Sequence, residues 1–385
     1  LASLASIVIG LLVGCIVIVV VGLTSDNLSP KSAWEGVRIV LGSIFSTGRG
    51  EGGVLTFGFN PVNTGNMLFR ATPLIMTGLS VAVAFKTGLF NIGAPGQYTI
   101  GAFFALAAAI QFQQPWYIAM VAGMIGGAIW GLFPGLFKAL FNVNEVITSI
   151  MFNWIGLFTV NLAINNMPMM LANYWGASNK DRTAALSSAN PQAILPKLGL
   201  DELMDSRYIN IGIFIAILMA ILIWIILSKT TFGYELKACG YNRNASIYAG
   251  INAKRNIILS TVIAGGLSGI GGGIYYLSGT AQYTLVKTLL PMGFNGIPTA
   301  LLASSHPLGT IFSAIFISYI QVGGDAMQPE FVKEIIDIII AAIIYLAAFA
   351  LLMRTLIARL FKPKATSNAN DEDASTPAIQ KEAEA

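Results

Sequence analysis

Few side chains in this sequence are placed to do covalent chemistry. Ser268, in Gly266-Leu267-Ser268-Gly269, has the small neighbours of an intramembrane serine nucleophile. A serine needs a base within hydrogen-bond reach. The one histidine, His306, precedes Pro307 at an expected turn, whereas Ser268 falls in mid-span. Gly324-Asp325 is half of an intramembrane aspartyl pair with no second mid-span aspartate. Gly271-Gly272-Gly273 follows no strand and is no phosphate loop, and no P-loop occurs elsewhere. Any ATP this chain depends on is therefore hydrolysed by another chain. Cys15 lies in a span and Cys239 in a polar basic loop, without metal-ligand spacing, so neither a disulfide nor a metal site is expected. Arg70, Glu334 and Asp337 fall near outer span ends, and Lys86, Lys138 and Glu145 near inner ones. Ion coupling would put ionisable groups nearer mid-membrane.

The chemistry that remains is polar and uncharged. Phe90-Asn91-Ile92-Gly93-Ala94-Pro95-Gly96-Gln97 and Phe294-Asn295-Gly296-Ile297-Pro298 each join Phe-Asn to Gly and Pro, in different halves of the chain. Interrupted helices at matching places suggest an internal repeat with a pathway at its interface. Amides there can satisfy freed backbone groups or a polar solute. Asn91, Gln97, Asn153 and Asn295 are the candidate path residues. A third segment, 231–252, is polar and basic. Within it Ala245, Tyr248 and Ala249 recur at helical spacing, with Gly240 and Gly250 on either side. A short helix with such a small-residue face suits docking into a cleft of another protein.

These features need a membrane around them. Only 10% of the 385 residues are charged and 55% are hydrophobic, with a mean hydropathy of +0.71. A soluble domain carries roughly 25% charged residues. Spans are expected near 3–23, 67–85, 96–112, 116–137, 145–165, 209–228, 257–279, 294–305, 307–324 and 335–353, all helical because lipid leaves no partner for open strands. The third and eighth look broken or re-entrant. The first lacks a small-x-small cleavage pattern and reads as a retained span rather than a signal peptide. Lys229, Lys237, Arg243, Lys254 and Arg255 make the 229–256 loop basic, as do Arg354, Arg359, Lys362 and Lys364 after the last span, so both are expected to be cytoplasmic. The charge-balanced loop 166–208 then lies outside, and both termini inside. Around residues 34–45, Ile39, Val40, Ile44 and Phe45 suggest an amphipathic surface helix. The tail 365–385 lacks apolar periodicity and is expected to be disordered. Gly123, Gly127, Gly131 and Gly135, and Gly265, Gly269 and Gly273, recur every four residues, as close helix packing in lipid requires. No basic arm with interleaved aromatics points to nucleic acid.

Together the three polar segments resemble one family, the permease subunits of ABC importers for branched-chain amino acids, ribose and nucleosides. Residues 90–97 are similar to the family's Phe-Asn-Ile-Gly-x-x-Gly-Gln stretch, with Pro95 where members usually carry Glu. Residues 233–251 are similar to its Gly-x-x-Leu-(Arg/Lys)-Ala-x-Gly-x-Asn-x-x-Ala-x-x-x-Gly-Ile stretch. Asn144-Glu145-Val146-Ile147, followed by Asn153, resembles the nucleoside branch. The resemblance implies an all-α, type II importer fold of about ten transmembrane helices, with residues 1–364 forming the permease domain. It implies a cytoplasmic ABC ATPase subunit that uses ATP and Mg, a second homologous permease subunit and an extracytoplasmic solute-binding protein, with no cofactor on this chain. The 233–251 stretch would be the segment that docks on the ATPase, with Gly233, Glu235, Gly240, Asn242, Ala245 and Gly250 as its residues. Nucleosides are the expected cargo. Ribose-type sugars, branched-chain amino acids, or an ion-coupled carrier are the alternatives.

Overall fold

The computed structural model describes residues 12–21, 23, 30–49, 55–326, 337–342 and 345. Glu334, the tail 365–385, residues 3–11 of the first expected span and most of the last lie outside them. Helix α1 (Leu12–Val21) is apolar. Helix α2 (Pro30–Leu41) leads into a hairpin of β1 (Ser46–Arg49) and β2 (Leu55–Phe57). Among the described residues this hairpin is the one sheet in an otherwise helical fold. Val37, Ile39 and Val40 are buried, and α2 packs on the helix over 309–326. The expectation that Ile39 and Val40 lie on the membrane surface is thereby corrected: protein covers that face, and Trp34, Leu41 and Phe45 stay exposed.

Two helices form the centre. Helix α3 (Pro61–Lys86) starts on Asn60, whose side chain accepts from the Asn63 amide at 3.1 Å, with Pro61 in the first turn, where its missing N–H costs nothing. At 1.5 Å per residue its 26 residues span roughly 39 Å, enough to cross a bilayer. Leu74, Ile75, Met76 and Leu79 are fully buried. The other central helix, α12 (Ala253–Tyr276), packs on α3, on α4 (Ala94–Leu106) and on α5 (Trp116–Phe141). Helices α6 (Glu145–Asn165) and α9 (Gly212–Lys229) lie further out, and Phe158, Leu162, Leu218 and Leu222 face outward as lipid-exposed side chains would. Among the described residues α3, α5, α6, α9 and α12 are long and apolar enough to cross a membrane.

The irregular spans are where sequence placed them. Helix α4 begins only at Ala94, after non-helical 89–93, and ends in a π-turn, Ala107–Gln111. The eighth span is two pieces, α13 (Pro291–Phe294) and α14 (Gly296–Leu302), broken at Asn295. Helix α15 (Gly309–Ala326) returns against α3 and α14. The described residues of the last span are helical.

The two ends of the bundle differ. One is covered by segment 166–208, which includes α7 (Leu186–Ala189) and α8 (Leu200–Met204). Asn190 donates to the Ala109 carbonyl at 2.8 Å and to the Gln114 carbonyl at 3.0 Å, satisfying backbone acceptors that the π-turn disturbs. Ser206 joins Asn66 at 2.9 Å, and Arg182 bridges to Thr284. The opposite end is basic and carries Lys86, Lys138, Lys229, Lys254 and Arg255.

Candidate functional site

A helix break within an apolar bundle leaves backbone groups that must find partners. At 90–96 they come from side chains. Asn91 donates to Ser80 Oγ at 3.0 Å and to Gln97 Oε1 at 2.9 Å, and Gln97 donates back to Asn91 Oδ1 at 3.2 Å. Asn91 Oδ1 also accepts from the Gly93 amide at 3.2 Å. Asn153 reaches across from α6: its Oδ1 accepts from the Gly96 amide and its Nδ2 donates to the Ile92 carbonyl, both at 2.9 Å. Asn91, Gln97 and Asn153 are each at least 96% buried. Pro95 sits in the first turn of α4 against Gly293, so the two broken segments abut. This knot holds a helix break together. Asn153→Ala leaves the Gly96 N–H and the Ile92 carbonyl unpaired, at about 1–3 kcal/mol for each group. A clearly lowered unfolding temperature of the detergent-purified protein is the expected result, and an unchanged one would show the bonds to be dispensable.

A cavity of about 260 Å³ lies nearer the end covered by 166–208. Its walls come from Arg70 of α3, Tyr98 of α4, Tyr275 and Tyr276 at the close of α12, residues 290–292 and Asn295, and Gln321, Gly324 and Asp325 of α15, with Asp337 beside them. Arg70 and Asp325 form an ion pair that ties α3 to α15. Tyr275 stacks on Phe69 with centroids 5.5 Å apart and meets Tyr276 edge-on at 5.1 Å. The Tyr98 hydroxyl and Gln321 Oε1 are buried and have no hydrogen-bond partner among the described residues.

At the basic end the single helix expected in 231–252 is two, α10 (Thr231–Tyr241) and α11 (Arg243–Tyr248). Thr230 caps α10 by accepting from the Gly233 amide, and Asn242 breaks the pair and caps α11 by accepting from the Ala245 amide at 3.0 Å. Gly233 lies against the Ile226 carbonyl, where a Cβ has no room, so α10 folds back on α9. Gly240 lies on the Thr87–Gly88 backbone at the end of α3. Glu235 accepts from Asn256 of α12 at 3.2 Å. Ala245, Tyr248, Ala249 and Gly250 are exposed, while Ser246 turns inward and is buried.

Residues 63–348 match the family described as the branched-chain amino acid transport system permease component. The chain belongs to this permease family. Among similar proteins, the nucleoside ABC transporter permease protein NupB of Lactococcus lactis is 35% identical over 334 residues, 81% of this chain and 90% of that one. The guanosine ABC transporter permease protein NupP of Bacillus subtilis is 32% identical over 369 residues, covering 94% and 97%. The glucose ABC transporter permease protein TsgB13 of Haloferax volcanii is 27% identical over 274 residues, covering 69% and 70%. No solved structure matches significantly.

As a permease component the chain is a transport subunit rather than an enzyme. Among the described residues the Ser268 hydroxyl has no hydrogen-bond partner, and His306 Nδ1 accepts from the Gly309 amide at 3.4 Å. Of the permease's four candidate path residues, Asn91, Gln97 and Asn153 come together in the knot, with their amides committed to the helix break and to one another. Asn295 lies apart from them and lines the cavity. Sequence reasoning missed Tyr98, Tyr275, Tyr276 and Gln321. The signal available was hydroxyl-bearing aromatics inside spans, where phenylalanine would bury without needing a partner.

Proposed function

We propose that this permease is the membrane subunit of an ATP-driven nucleoside importer that works by alternating access in the cell membrane. The observation that carries this is the 35% identity to a nucleoside ABC transporter permease over 81% of the chain. Its cavity, where tyrosines and amides stand beside the paired Arg70 and Asp325, suits a polar, ring-bearing solute. The assembly contains a cytoplasmic ABC ATPase that uses ATP and Mg, a second homologous permease and an extracytoplasmic solute-binding protein. The excess of Lys and Arg puts the basic end, and both termini, in the cytoplasm. There α11 docks on the ATPase through its exposed Ala245–Ala249 face. Gly240, packed on the Thr87–Gly88 turn, passes the ATPase's closure to α3, and Glu235 passes it to α12. Gly233, Asn242 and Gly250 shape the segment.

Cells carrying or lacking the chain decide the cargo when given radiolabelled nucleosides with unlabelled ribose, glucose or branched-chain amino acids as competitors. Loss of nucleoside uptake in the deletion, with no competition from sugars or amino acids, is the expected result. Unchanged nucleoside uptake overturns the reading.

A further inference from the structure

We propose that the cavity between α3, α4, α12 and α15 is where the permease itself recognises the base of its solute, with Tyr98 and Gln321 reading a nucleobase edge. This rests on the nucleoside reading above and adds a site to it. Of the six buried side-chain polar atoms left unpartnered among the described residues, two line this cavity. Buried polar side-chain atoms are almost always hydrogen-bonded, because an unpaired one forfeits its bonds to water. Tyr98 is 1% exposed and its hydroxyl has no partner, and Gln321 Oε1 is equally unpartnered. The two come from different helices, α4 and α15, yet line one cavity. Phenylalanine or leucine would fill either position without stranding a polar atom. Their convergence therefore fits a ligand that supplies the missing bonds when it enters.

The lining narrows the class of ligand. A carboxamide oxygen only accepts, so the ligand must present an N–H or O–H to Gln321. A phenol both donates and accepts, so the group facing Tyr98 can be a ring nitrogen, a carbonyl or an amine. Tyr275 and Tyr276 add aromatic surface, and Tyr275 is held flat against Phe69. Stacking on such rings favours a planar heterocycle, and base–aromatic stacking is tolerant of which base it holds. Among the described residues that line the cavity the one cationic group, Arg70, is paired with Asp325, which leaves none to hold a phosphate. An uncharged nucleoside fits these terms. A sugar would satisfy the two polar atoms but gains less from the tyrosine faces.

The knot of Asn91, Gln97 and Asn153 offers no comparable site. Its amides are already bonded to one another and to backbone at 2.9–3.2 Å.

The test uses the complete transporter, with its ATPase and binding protein, carrying Tyr98→Phe or Gln321→Leu. Uptake of guanosine, inosine and 1-methylguanosine is compared with wild type at matched membrane levels. Both variants are expected to lose roughly tenfold in kcat/KM for guanosine, and Gln321→Leu to lose less for 1-methylguanosine, whose N1–H is blocked. Equal losses for all three nucleosides in Gln321→Leu, or no loss in either variant, overturn the site. As a measurement independent of variant folding, 8-azidoguanosine is photo-crosslinked to the wild-type transporter. Labelling of peptides containing Tyr98 or Tyr275–Tyr276, competed by guanosine, is expected, and labelling confined to other segments overturns the proposal. A wild-type transporter that moves no nucleoside at all overturns the underlying reading of the cargo, and this site with it. Nucleoside transport by the wild type that the variants leave unchanged overturns the site alone.

Discussion

Gly265→Val is expected to yield no folded permease. Helices α5 and α12 touch backbone to backbone. A Cβ on Gly265 would land on the Gly127 carbonyl and lie 3.0 Å from the Gly131 Cα, and one on Gly127 would land on the Gly265 carbonyl. Gly269 repeats the arrangement one turn on, where a Cβ would lie 3.0 Å from the Gly127 Cα. The clash is at the Cβ itself, so no rotamer relieves it, and a branched side chain adds two more carbons. Overpacking a core costs typically ~1–3 kcal/mol when side chains can shift. Here two helix axes must separate, and each buries a central face, so the cost exceeds that range. Size-exclusion of detergent-solubilised protein should show aggregate or no peak. Gly266→Ala is the internal control. Its Cβ would meet nothing closer than 3.5 Å, in ordinary contact with Met124, and alanine gains about 0.5–1 kcal/mol of helix preference over glycine. A wild-type elution profile for Gly265→Val would refute this account of the packing.

That contact was half legible in the sequence. Glycines four apart on two spans marked two close-packing faces, and the structure sets those faces against each other. The exception is Gly273, which meets the Met120 sulfur rather than a backbone. Broken spans were legible for a similar reason, because Gly and Pro act locally on the residues beside them. The work done by Asn91, Gln97 and Asn153 was not. An amide at a helix break can close the gap or face a passage, and only its distances to Ile92 and Gly96 separate the two. The cavity was least legible, since residues 70, 98, 275, 276, 295, 321 and 325 share no spacing and meet only through tertiary packing. Helix α2 shows the converse. Its amphipathic pattern was real, but a sequence pattern does not say whether lipid or α15 covers the apolar stripe.

Ala245→Glu is expected to reduce ATP-dependent uptake to background while leaving the permease folded and inserted. Ala245 is exposed on α11 and lines a shallow groove with Tyr234, Ala238, Tyr241 and Ala249. The bond that starts the helix uses the Ala245 backbone amide and the Asn242 side chain, both of which survive the change. A carboxylate in the first turn of a helix is favourable by about 0.3–1 kcal/mol, so α11 should be at least as stable as before. What changes is the outer face, where a charge replaces a methyl group. If that face is buried against the ATPase, the carboxylate must be desolvated without a partner, at a cost of several kcal/mol. Each 1.4 kcal/mol is tenfold in affinity, so docking falls by orders of magnitude. Membrane yield and unfolding temperature should match wild type, and co-purification of the ATPase should be lost together with uptake. Ala245→Ser, similar in size and uncharged, should retain both. Normal uptake by Ala245→Glu would remove α11 from the coupling interface.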